Sequence, residues 1–103
     1  ARAQPRLLRA VRTDPGNWIA RNNLGWALAV RGNIGEAIPH FTAAIRESPG
    51  YARAWFNLGL ARYREGQLER AAAQLEQALA LQPDFPEARE ALRLVRQGQG
   101  GRP

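Results

Sequence analysis

His40 is the only histidine in this sequence of 103 residues, and so the only side chain whose ordinary titration range lies near neutral pH. Catalysis through it would need a nucleophile or a metal beside it. The sequence contains no cysteine, and Thr13, Thr42 and Ser48 are its only serine or threonine hydroxyls. No glycine-rich phosphate loop accompanies them. The carboxylates Glu36, Glu65, Glu69, Glu76, Glu87 and Glu90 are dispersed among arginines, the pattern of surface ion pairs of small individual worth. These residues identify no catalytic group, no cofactor-binding motif and no metal-ligand set. The lack of cysteine also excludes a disulfide framework and fits either redox compartment.

What chemistry remains is recognition. All 15 basic residues are arginine, for a net charge of +6. Forked guanidinium groups suit carboxylate and phosphate, although a codon-biased genome yields the same composition. Arg53, Arg62, Arg64 and the row Arg2, Arg6, Arg9 and Arg12 could form a basic surface. Trp26, Phe56 and Tyr63 would then be available for stacking on nucleic acid or another polyanion. No nucleic-acid motif supports this, and acids interleave with the arginines through the second half of the chain. A partner made of protein or peptide is the favoured alternative.

Helices must position these groups. A chain of this length makes one domain at most, and an apolar fraction of 45% drawn mostly from Ala and Leu favours closely packed helices. No run approaches the ~18–20 apolar residues needed to span a bilayer. Apolar spacing predicts helices over about 1–12, 18–30, 35–46, 52–65, 68–81 and 87–96. Turns fall at Thr13–Asn17, Glu47–Gly50 and Gln82–Asp84, each closed by a proline, and tight reversals at Gly32-Asn33 and Gly66. Trp26, Phe56 and Tyr63 lie outside the stripe their helices need for pairing, so something else must cover them: a neighbouring helix or a ligand.

The text repeats at 34 residues. Leu24, Gly25, Ala27, Gly32, Ala37, Phe41, Ala44 and Pro49 return as Leu58, Gly59, Ala61, Gly66, Ala71, Leu75, Ala78 and Pro83. Ala3, Leu7, Ala10 and Pro15 continue the register backward, and Ala88 and Leu92 forward. Paired helices of this period and signature resemble the tetratricopeptide repeat, and the likeness covers nearly the whole chain. It implies an all-α fold, an α-solenoid of antiparallel helix pairs. The expected TPR domain is 1–96: a partial repeat at 1–15, full repeats at 16–49 and 50–83, and a capping helix at 84–96. A disordered tail follows at 97–103. Gly25 and Gly59 are expected where the first helix of a pair packs tightly on the second, opposite Ala37 and Ala71. Pro5 and Pro39 share one register position early in the second helix of each pair.

The resemblance also implies a site. In this family the first helices of the pairs line a concave surface that takes peptides or partner helices. By register the candidates are Ile19, Asn22, Asn23, Trp26 and Ala29, then Arg53, Phe56, Asn57, Leu60, Tyr63 and Arg64, then Glu87, Glu90 and Leu94. Asn23 and Asn57 recur at one position, and their amides could hydrogen-bond the backbone of an extended peptide. Asn23 and Arg53 resemble part of the family's clamp for a terminal carboxylate, but Asn57 stands where the clamp has a basic residue. The NWIARNNLG and WFNLG segments also resemble the repeat arrays of protein glycosyltransferases, including membrane-associated enzymes that carry the array at the C-terminus.

The two ends read differently. Arg89 and Arg93 replace Trp55 and Gly59 in the last helix, making it a polar cap near which the natural chain is expected to end. With no initiator Met and no leader-like start, the chain is expected to be a stretch of a longer protein. Its first helix would leave Leu8 and Val11 uncovered, an apolar edge suited to a homodimer.

Overall fold

The computed structural model describes residues 17–100, which form five α-helices: α1 (Trp18–Val30), α2 (Ile34–Glu47), α3 (Ala52–Arg64), α4 (Leu68–Leu81) and α5 (Pro86–Gly100). The described residues contain no strand, and none of these helices is long and apolar enough to cross a membrane. The all-α class expected from the spacing is the class observed. The chain divides between Pro49 and Gly50 into two compact units.

In the first unit, α1 begins at Asn17, whose side-chain oxygen accepts the Ala20 N–H at 3.0 Å. That satisfies one of the amide donors a first turn leaves open. The helix ends at Gly32, where φ is 90°. The Gly32 N–H donates to the Ala29 carbonyl at 3.0 Å and the Asn33 N–H to the Leu28 carbonyl at 2.9 Å. This pair of bonds needs a left-handed residue, and glycine adopts that conformation without a Cβ clash. The chain then reverses at once, and α2 lies back along α1. Ala20, Leu24 and Leu28 from one helix and Ala37, Phe41 and Ala44 from the other are buried between them. A Cβ added at Gly25 would sit 2.7 Å from the Phe41 ring and 3.2 Å from the Ala37 carbonyl oxygen. The helices thus approach as closely as a bare backbone permits. Pro39 lies inside α2 and removes the amide that would reach back to Gly35. Gly35 is exposed, so water can satisfy its carbonyl and the helix continues.

The second unit repeats this hairpin. Gly66 has φ 78°, its N–H donates to Tyr63 at 3.0 Å, and the Gln67 N–H donates to the Arg62 carbonyl at 2.9 Å. A Cβ at Gly59 would meet Leu75 at 2.8 Å and the Ala71 carbonyl oxygen at 3.3 Å. The close packing expected at both glycines is therefore present. Helix α5 packs along α4 and touches α3. It extends one apolar core through Phe56, Ala71, Leu75, Phe85, Leu92 and Val95, among others.

The C-terminal boundary differs from expectation. Residues 97–100, read from sequence as the start of a disordered tail, continue α5 to Gly100. A Cβ at Gly98 would lie 3.2 Å from Leu68, so the added turn rests on the start of α4, and that contact offsets the weak helix propensity of its glycines. Residues 101–103 lie outside the described residues. So do 1–16, and with them the leading helix expected from the sequence, its arginine row, Pro5 and the expected Leu8/Val11 edge.

Candidate protein-interaction surface

Helix α1 spends its buried positions on Ala20, Asn22, Leu24, Gly25 and Leu28. Its exposed positions are Ile19, Asn23, Trp26 and Val30. Steps of four, three and four place these on a single stripe, about 16 Å long at 1.5 Å per residue. The outer face of a surface helix is ordinarily charged or polar. Here Ile19, Trp26 and Val30 are 48%, 57% and 61% exposed, and no charge lies on the stripe. Asn23, at its centre, brings two amide donors and an acceptor. Asn22, also placed by register on the inward face, is instead 2% exposed and engaged within the protein.

The same register positions in the second unit are Arg53, Asn57, Leu60 and Arg64, and they carry a different surface. The Arg53 guanidinium lies 4.8 Å from the centre of the Phe85 ring and 5.5 Å from that of Phe56. It also faces the Glu87 carboxylate at 3.7 Å. The two rings pack 5.0 Å apart, tilted by 41°. Phe56 is therefore a core residue, 8% exposed, and not a wall of an open groove. Phe85, just before α5, supplies the cover that the sequence analysis left open between a neighbouring helix and a ligand. Asn57 is buried, and Leu60 is half-buried against the same core. Tyr63 and Arg64 are exposed at the end of α3. On α5, Leu94 is exposed, and Glu90 is paired with Arg93. That guanidinium holds the Glu90 carboxyl below the usual carboxylate range.

Sequence reasoning missed two residues that matter here. Val30 completes the α1 stripe and lies eleven residues after Ile19, three helical turns along the same face. Phe85 stands 34 residues after Tyr51, so the repeat itself marked an aromatic position.

His40 is half-buried on α2. Burial, and then the positive charge of Arg21, push its pKa below the ordinary imidazole range, while Glu36 acts the other way. The imidazole is consequently neutral at neutral pH. Among the described residues no group of three or more His, Cys, Asp or Glu side chains could hold a metal ion.

The family model for the tetratricopeptide repeat matches residues 1–52, 31–86 and 56–95. The chain belongs to the tetratricopeptide-repeat family. No curated protein sequence matches it, but solved structures of TPR proteins do. The first TPR domain of Spaghetti (RPAP3), solved bound to the HSP90 peptide SRMEEVD, is 25% identical with a TM-score of 0.90, covering 92% of this chain and 75% of that one. YrrB, described as a TPR protein with an unusual peptide-binding site, is 34% identical with a TM-score of 0.83, over 88% of this chain and 47% of that one. The O-GlcNAc transferase of Thermobaculum terrenum is 32% identical with a TM-score of 0.86, over 89% of this chain but only 18% of the enzyme. The chain thus spans three quarters of the RPAP3 domain, under half of YrrB and a small part of the transferase. As a TPR chain it is a protein-interaction module.

Proposed function

We propose that this TPR module holds a peptide or partner protein on the outer stripe of α1 and performs no chemistry of its own. The observation that carries the reading is the stripe itself: Ile19, Trp26 and Val30 in water around Asn23. Water-exposed apolar area of this kind gains ~25 cal/mol per Å² when covered, and an aromatic ring is the usual anchor of such a contact. Asn23 supplies hydrogen bonds to the ligand backbone. The second unit carries a separate polar surface of its own, with Arg53, Tyr63 and Arg64 exposed and Phe56 backing Arg53.

Selection of displayed peptides on the full chain tests this. Trp26 is exposed, so W26A leaves folding within ~0.5 kcal/mol. It is expected to weaken the selected peptides at least ten-fold, ~1.4 kcal/mol, with N23A a smaller loss. Peptides that bind W26A as well as the parent refute the stripe. Self-association is the competing occupant, and sedimentation equilibrium over a wide concentration range separates it from an open stripe.

A second reading rests on the likeness to the Thermobaculum terrenum transferase: the chain as the repeat array of a protein glycosyltransferase, presenting acceptor protein to it. A transferase domain in the same reading frame supports this, and a frame without one rejects it.

A further inference from the structure

On α3, the face bearing Trp55, Gly59 and Arg62 is the face given to α4. Gly59 abuts Leu75 and the Ala71 carbonyl, and the Arg62 Nη1 donates to Gln67 Oε1 at 2.9 Å. Thirty-four residues on, the same face of α5 carries Arg89, Arg93 and Arg96, all exposed. Among the described residues no further helix covers this face, which opens on a slot of about 520 Å³. Leu79 of α4 and Leu92 of α5 give the slot apolar surface, and the three arginines and Gln97 complete its lining. The carboxylates beside the slot, Asp84, Glu90 and Glu76, are each paired with one of these arginines.

We propose that this slot is a second interaction surface, independent of the α1 stripe, and that it takes an acidic amphipathic helix from a partner protein. The shape of the repeat selects a helix, since the equivalent face of α3 is filled by one. The side chains select its charge. Arg89, Arg93 and Arg96 are spaced by four and three residues, about 10 Å along the axis, so carboxylates at matching steps on a facing helix reach all three. Guanidinium forks hold carboxylates by paired hydrogen bonds. An apolar residue between those carboxylates meets Leu79 and Leu92. At present Arg89 faces Asp84 at 3.6 Å, Arg93 is paired with Glu90, and Arg96 bonds Glu76 at 2.8 Å. All of these partners are more than half exposed, and such pairs exchange readily because they contribute little.

The probe is a labelled synthetic amphipathic peptide with glutamates at steps of four and three around a leucine. Its twin with glutamines at the same sites, its twin with lysines, and a single-stranded oligonucleotide serve as comparisons, all tested on the full chain. The glutamate peptide is expected to shift the amide resonances of Leu79, Leu92 and Gln97. R89E/R93E, with unchanged helical circular dichroism, should weaken it at least ten-fold while W26A leaves it unaffected. The lysine peptide should bind R89E/R93E in its place. Equal binding of the glutamine twin, no loss in R89E/R93E, or no shift at those residues at millimolar peptide overturns the proposal. Tighter binding of the oligonucleotide at the same residues overturns it in favour of a general polyanion surface.

Discussion

Replacing Gly59 by alanine separates two opposed effects whose sizes are known. On a helix, alanine is favoured over glycine by ~0.8–1.0 kcal/mol. At this position the new methyl group would lie 2.8 Å from Leu75 Cγ, 3.0 Å from its Cδ2 and 3.3 Å from the Ala71 carbonyl oxygen. Carbon atoms attract at ~3.5–4.0 Å, so the contact is short by roughly 0.7 Å. Leu75 is fully buried, and Ala71 is held in the α4 backbone. Neither can move aside without disturbing the core that α5 shares. Overpacking of this kind costs ~1–3 kcal/mol, which leaves G59A less stable by ~0–2 kcal/mol. For a domain of this size 1 kcal/mol moves the melting midpoint by ~4–8 °C. Thermal unfolding followed by far-UV circular dichroism measures it. G35A is the control, because nothing stands within 4 Å of a Cβ there and only the propensity gain remains. In an L75A background both Leu75 contacts are gone and only the 3.3 Å approach to the Ala71 carbonyl oxygen remains, so most of the cost of G59A should disappear. A G59A protein that melts as high as G35A, or a cost undiminished in the L75A background, refutes the argument that these helices are spaced by a missing side chain.

Three further outcomes follow from the contacts. N17A removes the acceptor of the Ala20 amide and should cost ~1 kcal/mol in denaturant unfolding. F85A empties a buried site and should cost ~3–5 kcal/mol, far more than truncation of the half-buried Tyr51 at the same register position. For His40, burial and the charge of Arg21 hold the folded pKa below the ordinary imidazole value of ~6.5. Its contribution is intact above that pH and is lost as pH falls toward the folded pKa, because the unfolded chain takes the proton first. H40Q, which installs the residue found at Gln74, should flatten the fall of the melting midpoint between neutral and mildly acidic pH.

The hairpins were legible because their signals are local and stereochemical. Gly32 and Gly66 mark left-handed turns, Gly25 and Gly59 mark close approaches, and the buried aliphatic residues recur on one helical face. Each such residue type has one physical reason to be there, and a 34-residue repeat shows it twice. The site was less legible, because facing away from the paired helix is a different property from facing water. Phe56 and Asn22 share a register position and are both buried. Phe56 is covered by Phe85, whose place in a connecting segment gave no helical period to follow. The end of α5 was hidden by QGQGG, a composition that argues for a tail, while the contact of Gly98 with Leu68 depends on tertiary packing.

The divergence between the hairpins supports the role proposed for the outer stripe. Several positions that pack have kept their types: Leu24 and Leu58, Ala37 and Ala71, Ala44 and Ala78, with Gly25 and Gly59 where the paired backbones come closest. On the stripe only Asn23 recurs, as Asn57: Ile19, Trp26 and Val30 stand where the second hairpin has Arg53, Leu60 and Arg64. Nothing within the α1–α2 hairpin requires those three apolar side chains, since its core is complete beneath them. Arginines at the ends of the stripe would be equally compatible with the hairpin, as α3 demonstrates, and would lower the risk of non-specific association. An apolar stripe that the hairpin neither needs nor covers is best accounted for by something outside the hairpin. The exposed Asn23 at its centre makes a ligand with backbone groups to satisfy the better match than a purely apolar one.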